Sequence, residues 1–166
     1  MASSVAVVYG HTPPSLTAYK LTGFVNGDTA SVVSGAPVLS TTVTSTTPAG
    51  LYKIGIQTGT LTAANYVFSG VSNGEGVVDV TRAPLALKAN NLAMTRGSSV
   101  PTLTYSLTGF VNGQNAAGTV TGTPLLTTTV TSASSPGQYL ITITQGSLAS
   151  ANYYFVKANG VLTVTP

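Results

Sequence analysis

Leu21-Thr-Gly-Phe-Val-Asn-Gly27 recurs unchanged as Leu107-Thr-Gly-Phe-Val-Asn-Gly113. Self-similarity at a fixed period is the signature of a repeated structural unit, so the stretch decides the fold reading before any local propensity is weighed. Working outward, Gly35-Ala-Pro-Val-Leu-Ser-Thr-Thr-Val-Thr-Ser45 returns as Gly122-Thr-Pro-Leu-Leu-Thr-Thr-Thr-Val-Thr-Ser132. Gly59-Thr-Leu-Thr-Ala-Ala-Asn-Tyr-Val-Phe68 returns as Gly146-Ser-Leu-Ala-Ser-Ala-Asn-Tyr-Tyr-Phe155. One shift of about 86 or 87 residues carries all three blocks, in order. Small length changes near Ala18, near Gly118 and around Ser72 to Glu75 fall among Gly, Ser and Asn, where loops are expected.

Two tandem modules follow, 1–82 and 83–166. Within them the apolar residues alternate. Leu103, Tyr105 and Leu107 are separated by polar residues, as are Tyr139, Ile141 and Ile143, and Tyr52, Ile54 and Ile56 keep the parity in the first copy. Val78 with Val80 matches Leu162 with Val164. Period-two alternation predicts strands with one buried face. Asn26-Gly27 and Asn112-Gly113 are turn signals, since both residue types tolerate positive φ. Asp28 is expected to cap a short helical turn over 29–33, ended by Gly35. The fold class is mostly β, with at most one short helical turn in each module.

The two copies begin differently. The second opens with Ala83-Pro-Leu-Ala-Leu-Lys-Ala-Asn-Asn91, a first strand, whereas the first starts at Val5-Ala-Val-Val-Tyr-Gly10, which aligns only with Leu92 to Gly97. Copy one is expected to lack its first strand, leaving an edge or groove open to another strand.

Composition removes several function classes. Only 5% of the 166 residues are charged, and the net charge of +3 comes from six scattered Lys and Arg against three acids. A concentrated basic footprint is missing, so no nucleic acid partner is expected. There is no cysteine, hence no disulfide or thiolate metal site. No apolar run is long enough for a membrane-spanning helix, and no membrane insertion is expected. Met1 to Ser4 carries no charged region followed by an apolar one, so no export signal is read here and the start reads as placed in the middle of a longer protein.

Catalytic chemistry finds no support. Asp28, Glu75 and Asp79 fall in different blocks of copy one and have no acidic match in copy two, so neither paired-carboxylate hydrolysis nor a calcium site is expected. His11, beside Thr12-Pro13-Pro14, has no metal-ligating neighbour in sequence and reads as a loop histidine. Gly70-Val-Ser-Asn-Gly-Glu-Gly76 lacks the Lys and helix of a phosphate loop and reads as a hairpin. No catalytic, cofactor or metal residue is assigned. The repeated Ala-Asn-Tyr supplies the candidate ligand contacts, Asn65, Tyr66, Asn152 and Tyr153: the rings could stack on sugars while the amides bond hydroxyls. The competing reading is a tyrosine packed on the core beside an Asn-stabilised turn.

Read together, Tyr9-Gly10, Pro14-Ser-Leu-Thr17, Gly23-Phe-Val-Asn-Gly-Asp28, Gly50-Leu-Tyr52, Gly59-Thr-Leu61, Ala64-Asn-Tyr66 and Val78-Asp-Val-Thr81 resemble the MBG family of YGX type. Copy two repeats the pattern from Ala83-Pro-Leu-Ala-Leu87 to Gly160-Val-Leu-Thr-Val-Thr-Pro166, with Arg96-Gly97 replacing Tyr-Gly. The resemblance implies an exported bacterial protein, extracellular or on the cell surface, built from small β-rich modules, either β-grasp-like or an immunoglobulin-like sandwich. It is linked by name and ancestry to mucin-binding modules and occurs in adhesin arrays. The leading expectation is a non-catalytic stalk or spacer held end to end with neighbouring repeats. The alternatives are a glycan- or matrix-binding adhesin module, and a fibre subunit that self-associates by strand exchange at copy one.

Overall fold

A computed structural model describes residues 1–68 and 76–166. The chain divides into two compact units, Met1–Thr81 and Arg82–Pro166. The hairpin expected over Gly70–Gly76 lies, but for Gly76, outside the described residues.

Unit 2 shows the whole design. Its strands are β6 (Ala83–Ala89), β7 (Leu92–Thr95), β8 (Tyr105–Thr108), β9 (Leu125–Thr127), β10 (Gly137–Thr144), β11 (Tyr153–Ala158) and β12 (Gly160–Thr165). They form two sheets, ordered β7-β12-β10-β9 and β11-β6-β8. Each sheet mixes parallel and antiparallel pairs: β12 runs parallel to β7 and antiparallel to β10, and β6 runs parallel to β11 and antiparallel to β8. One core joins Leu87 and Ala89 of one sheet to Met94, Ile141, Ile143, Leu162 and Val164 of the other. The two sheets therefore pack as layers around a shared interior.

The burial of β6 alternates strictly: Ala83, Leu85, Leu87 and Ala89 are at most 2% exposed, while Pro84, Ala86 and Lys88 face out. Each buried leucine contributes roughly 1.5–3 kcal/mol by leaving water. Pro84 is tolerated in this central strand because the β8 ladder spans only Ala86 to Ala89, so the missing N–H falls where β8 no longer reaches.

Unit 1 repeats the larger sheet of unit 2 as two separate sheets, one of three strands and one of two. Its strands are β1 (Val5–Val8), β2 (Val38–Ser40), β3 (Gly50–Lys53), β4 (Gly55–Gln57) and β5 (Val77–Thr81). β5 lies between parallel β1 and antiparallel β3, as β12 lies between β7 and β10. Ile54, Val78 and Val80 are buried, and Tyr52 is half-buried, keeping the expected parity. Tyr105 departs from it. It stands 38% exposed on β8, which pairs with β6 alone, while Leu103 and Leu107 pack on the core.

The helical turn is shorter than expected and capped differently. A single 3-10 turn spans Ala30–Val32, and the N-cap is Thr29, whose hydroxyl accepts the Ser31 amide at 3.4 Å. Asp28 is engaged elsewhere, as shown below. The turn glycines take positive φ values that L side chains adopt only under strain. Gly122 has φ +77, and an added Cβ would overlap the Ser147 carbonyl oxygen; Gly35 stands in the same relation to Thr60. Gly113 has φ +68 but open space around it.

These two glycines separate strain from clash. Gly113→Ala should cost about 1–2 kcal/mol through backbone strain alone. Gly122→Ala should cost clearly more, because the Ser147 carbonyl must also give way. Urea unfolding of both variants gives the comparison, and equal losses would contradict the close approach at Gly122.

Candidate functional site

The two Ala-Asn-Tyr motifs end where the Gly-Phe-Val-Asn-Gly turns return to the core. In each turn the Asn takes a left-handed conformation, Asn26 at φ 55 and Asn112 at φ 54, followed by a positive-φ Gly. That reversal brings Phe24 edge-on to Tyr66, centroids 5.5 Å apart, and Phe110 edge-on to Tyr153 at the same distance. Edge-to-face rings of this kind add to the area they bury.

The phenol oxygens finish the clamp. In unit 2 the Tyr153 hydroxyl donates to Gln114 Oε1 at 2.6 Å and accepts the Val111 amide at 3.0 Å. In unit 1 the Tyr66 hydroxyl donates to Asp28 Oδ2 at 2.7 Å and accepts the Val25 amide at 3.2 Å. The residue after Asn-Gly is thus the acceptor in both copies, carboxylate in one and amide in the other. Asp28 serves the tyrosine, which is why Thr29 has to cap the helical turn. An acceptor side chain at the same offset in both copies was the signal that could have found this pair in the sequence.

Of the four candidate ligand contacts, Tyr153 is 1% exposed and Tyr66 is half-buried, each with its ring against a Phe. Asn152 is half-buried, and its carbonyl accepts the Ala83 amide at 2.9 Å, which starts the β6 ladder. Asn65 is exposed. The motif brings the tyrosines to the turns and leaves one amide side chain on the surface.

The Val25 amide draws the Tyr66 phenol pKa down, while the hydrogen bond to Asp28, partial burial and the Asp28 charge push it up, and the balance lies above the ordinary 10.0.

A shallow depression of about 270 Å³ in unit 2 is lined by Arg82, Gln145, Leu148, Ser150, Tyr154 and Phe155 among others. Tyr154 is 51% exposed there. Two of its polar groups are already engaged: Gln145 Nε2 donates to the Leu148 carbonyl at 2.8 Å and Ser150 to the Thr119 carbonyl at 2.7 Å. The position of Tyr154 is Val67 in unit 1, so this feature is not repeated. Among the described residues no three His, Cys, Asp or Glu side chains gather to hold a metal ion, and Glu75 lies outside them. No helix among them is long and apolar enough to cross a membrane.

The signature Tyr9 is buried at 3% exposure, whereas Arg96 in its place is exposed. The backbone is indifferent to the exchange: Tyr9 N–H donates to Thr81 and Arg96 N–H to Thr165, both at 2.9 Å. Compared with known families, the sequence matches the one described as MBG domain (YGX type) over residues 1–75 and again over 85–163. No curated protein and no solved structure matches the chain.

The clamp has a pH signature. The folded unit holds the Tyr66 proton more tightly than the unfolded chain, so this contribution is whole below pH 10.0 and is lost as pH rises through the folded value. An ultraviolet titration should show Tyr66 ionising later than the exposed tyrosines, and Asp28→Asn should bring it back toward them. Tyr153→Phe should cost about 1–3 kcal/mol of unit 2 stability by stranding the Val111 amide and Gln114, measured by urea unfolding.

Proposed function

Because the chain belongs to the MBG family of YGX type, a family of non-enzymatic surface-repeat domains, we propose that it serves as a tension-bearing spacer in a bacterial surface repeat protein. One observation carries the reading. The chain leaves unit 1, and both enters and leaves unit 2, through strands that are central in their sheets. It leaves unit 1 through β5, between β1 and β3, and after the single residue Arg82 enters unit 2 through β6, between β11 and β8. It leaves unit 2 through β12, between β7 and β10.

A strand held on both sides cannot be peeled one bond at a time from an edge. Tension along it loads two ladders together, in shear, so many hydrogen bonds must break at once. Side chains add to the resistance, since Leu85 and Leu87 on β6 and Leu162 on β12 are fully buried and must be dragged past their neighbours. With one residue between β5 and β6, almost no slack is available at the junction. The small charged fraction fits the same role, because a spacer needs stiffness and solubility rather than a steering field.

Single-molecule stretching tests this directly. Unit 2, Arg82–Pro166, should rupture in one sharp event and release up to about 300 Å of chain. Forced unfolding reports the barrier to unfolding rather than the equilibrium. Smooth extension at low force, without a rupture peak, would remove the reading.

A second reading, a glycan-binding adhesin module, draws on the exposed Tyr154 beside Arg82 and Gln145. An aromatic face next to polar donors is the usual arrangement for stacking a sugar ring. Selective binding on a glycan array, abolished by Tyr154→Ala with the fold intact, would favour it. A blank array would count against it, as does the lack of an equivalent site in unit 1.

A further inference from the structure

Asn26-Gly27 and Asn112-Gly113 occupy matching exposed turns, and a further Asn-Gly pair, Asn159-Gly160, runs into a strand. Asn73-Gly74 lies outside the described residues. In an Asn-Gly pair the chain can attack itself, because glycine has no side chain to shield its amide nitrogen from the preceding side-chain amide. The dipeptide is the same each time, so its surroundings decide which pair reacts.

At Asn26-Gly27 little restrains the reacting groups. Both residues are exposed. Among the described residues the Asn26 side chain has no hydrogen-bond partner and the Gly27 N–H meets no acceptor. A Cβ added at Gly27 would find no atom within 4 Å. A backbone bond closes the turn, from Asp28 N–H to the Val25 carbonyl at 3.0 Å. It must break before the groups meet, since ring closure rotates Asn26 out of its left-handed conformation at φ 55. Surface turns open locally at little cost.

Asn159-Gly160 is held. Asn159 Oδ1 accepts the Ile143 amide at 3.0 Å. Gly160 is buried in the β12 ladder opposite Ile141, and an added Cβ there would lie 2.7 Å from the Ala89 carbonyl oxygen. Reaction at this pair requires parting β12 from β10. Asn112-Gly113 shares the open turn, but Asn112 has a contact of its own.

We propose that Asn26 is a self-modification site. The Gly27 nitrogen attacks Asn26 Cγ, the Cγ–Nδ2 bond breaks, and ammonia leaves with the Gly27 amide proton, closing a succinimide. Water then opens the ring at either carbonyl, giving aspartate or β-linked iso-aspartate. Water is the co-reactant, and the nucleophile and electrophile are already joined in one chain. The product alters the tyrosine clamp of unit 1. A new carboxylate stands close in sequence to Asp28, which accepts the Tyr66 hydroxyl at 2.7 Å. The β-linkage adds a methylene to the turn that holds the Val25 amide on the Tyr66 oxygen at 3.2 Å. The reaction is a one-way loosening of that contact, and it is separate from the tension-bearing reading, which rests on β5, β6 and β12.

The full chain, incubated at mildly alkaline pH and then digested with trypsin, tests this site by site, because residues 21–53 and 158–166 carry one asparagine each. Peptide 21–53 should gain the mass difference between ammonia and water at least about tenfold faster than peptide 158–166, since opening a turn costs far less than parting a ladder. In guanidinium the two rates should converge. In the converted chain amide exchange at Val25 and Asp28 should quicken while that of β10 is unchanged. Equal rates at the two sites in the folded chain, conversion of Asn26 only in guanidinium, or unchanged exchange at Val25 after conversion would overturn the proposal.

Discussion

A strand hydrogen-bonded on both sides fixes the positions of everything it touches, and β6 is that strand in unit 2. Its outer face is small or polar and its inner face buries Ala83, Leu85, Leu87 and Ala89. It holds β8 and β11, segments far apart in sequence, at the spacing the shared core requires. Among the described residues neither β8 nor β11 pairs with any strand but β6. Pairing is a property of the set of strands rather than of each segment's propensity.

The second fixed point is the tyrosine clamp, which ties the end of one conserved block to the turn of another. A left-handed Asn turns the chain, a Phe meets the tyrosine ring edge-on, and the phenol proton goes to whichever acceptor follows Asn-Gly. Asp28 and Gln114 perform the same geometric task with different charge. In unit 1 the carboxylate raises the cost of ionising the phenol.

Few charges and two layers of alternating apolar strands give a module whose strength lies in backbone ladders and packed side chains. Those interactions are short-ranged and insensitive to salt, unlike surface ion pairs.

The sequence by itself determined the repeat, the parity of the buried faces and the turns. Each of these rests on residues close together in the chain: Ile54 with Ile56, Asn26 with Gly27, Gly122 with its fixed φ. Tertiary structure alone decided which segments would meet. The Ala-Asn-Tyr tyrosines close onto turns about forty residues away, Asp28 gives up a capping role for one of them, and Tyr105 stays exposed on an edge that periodicity placed inside. Local patterns record which face of a strand is apolar, because burial repeats every second residue. They do not record the neighbour, because a ladder's partner is chosen by the whole sheet.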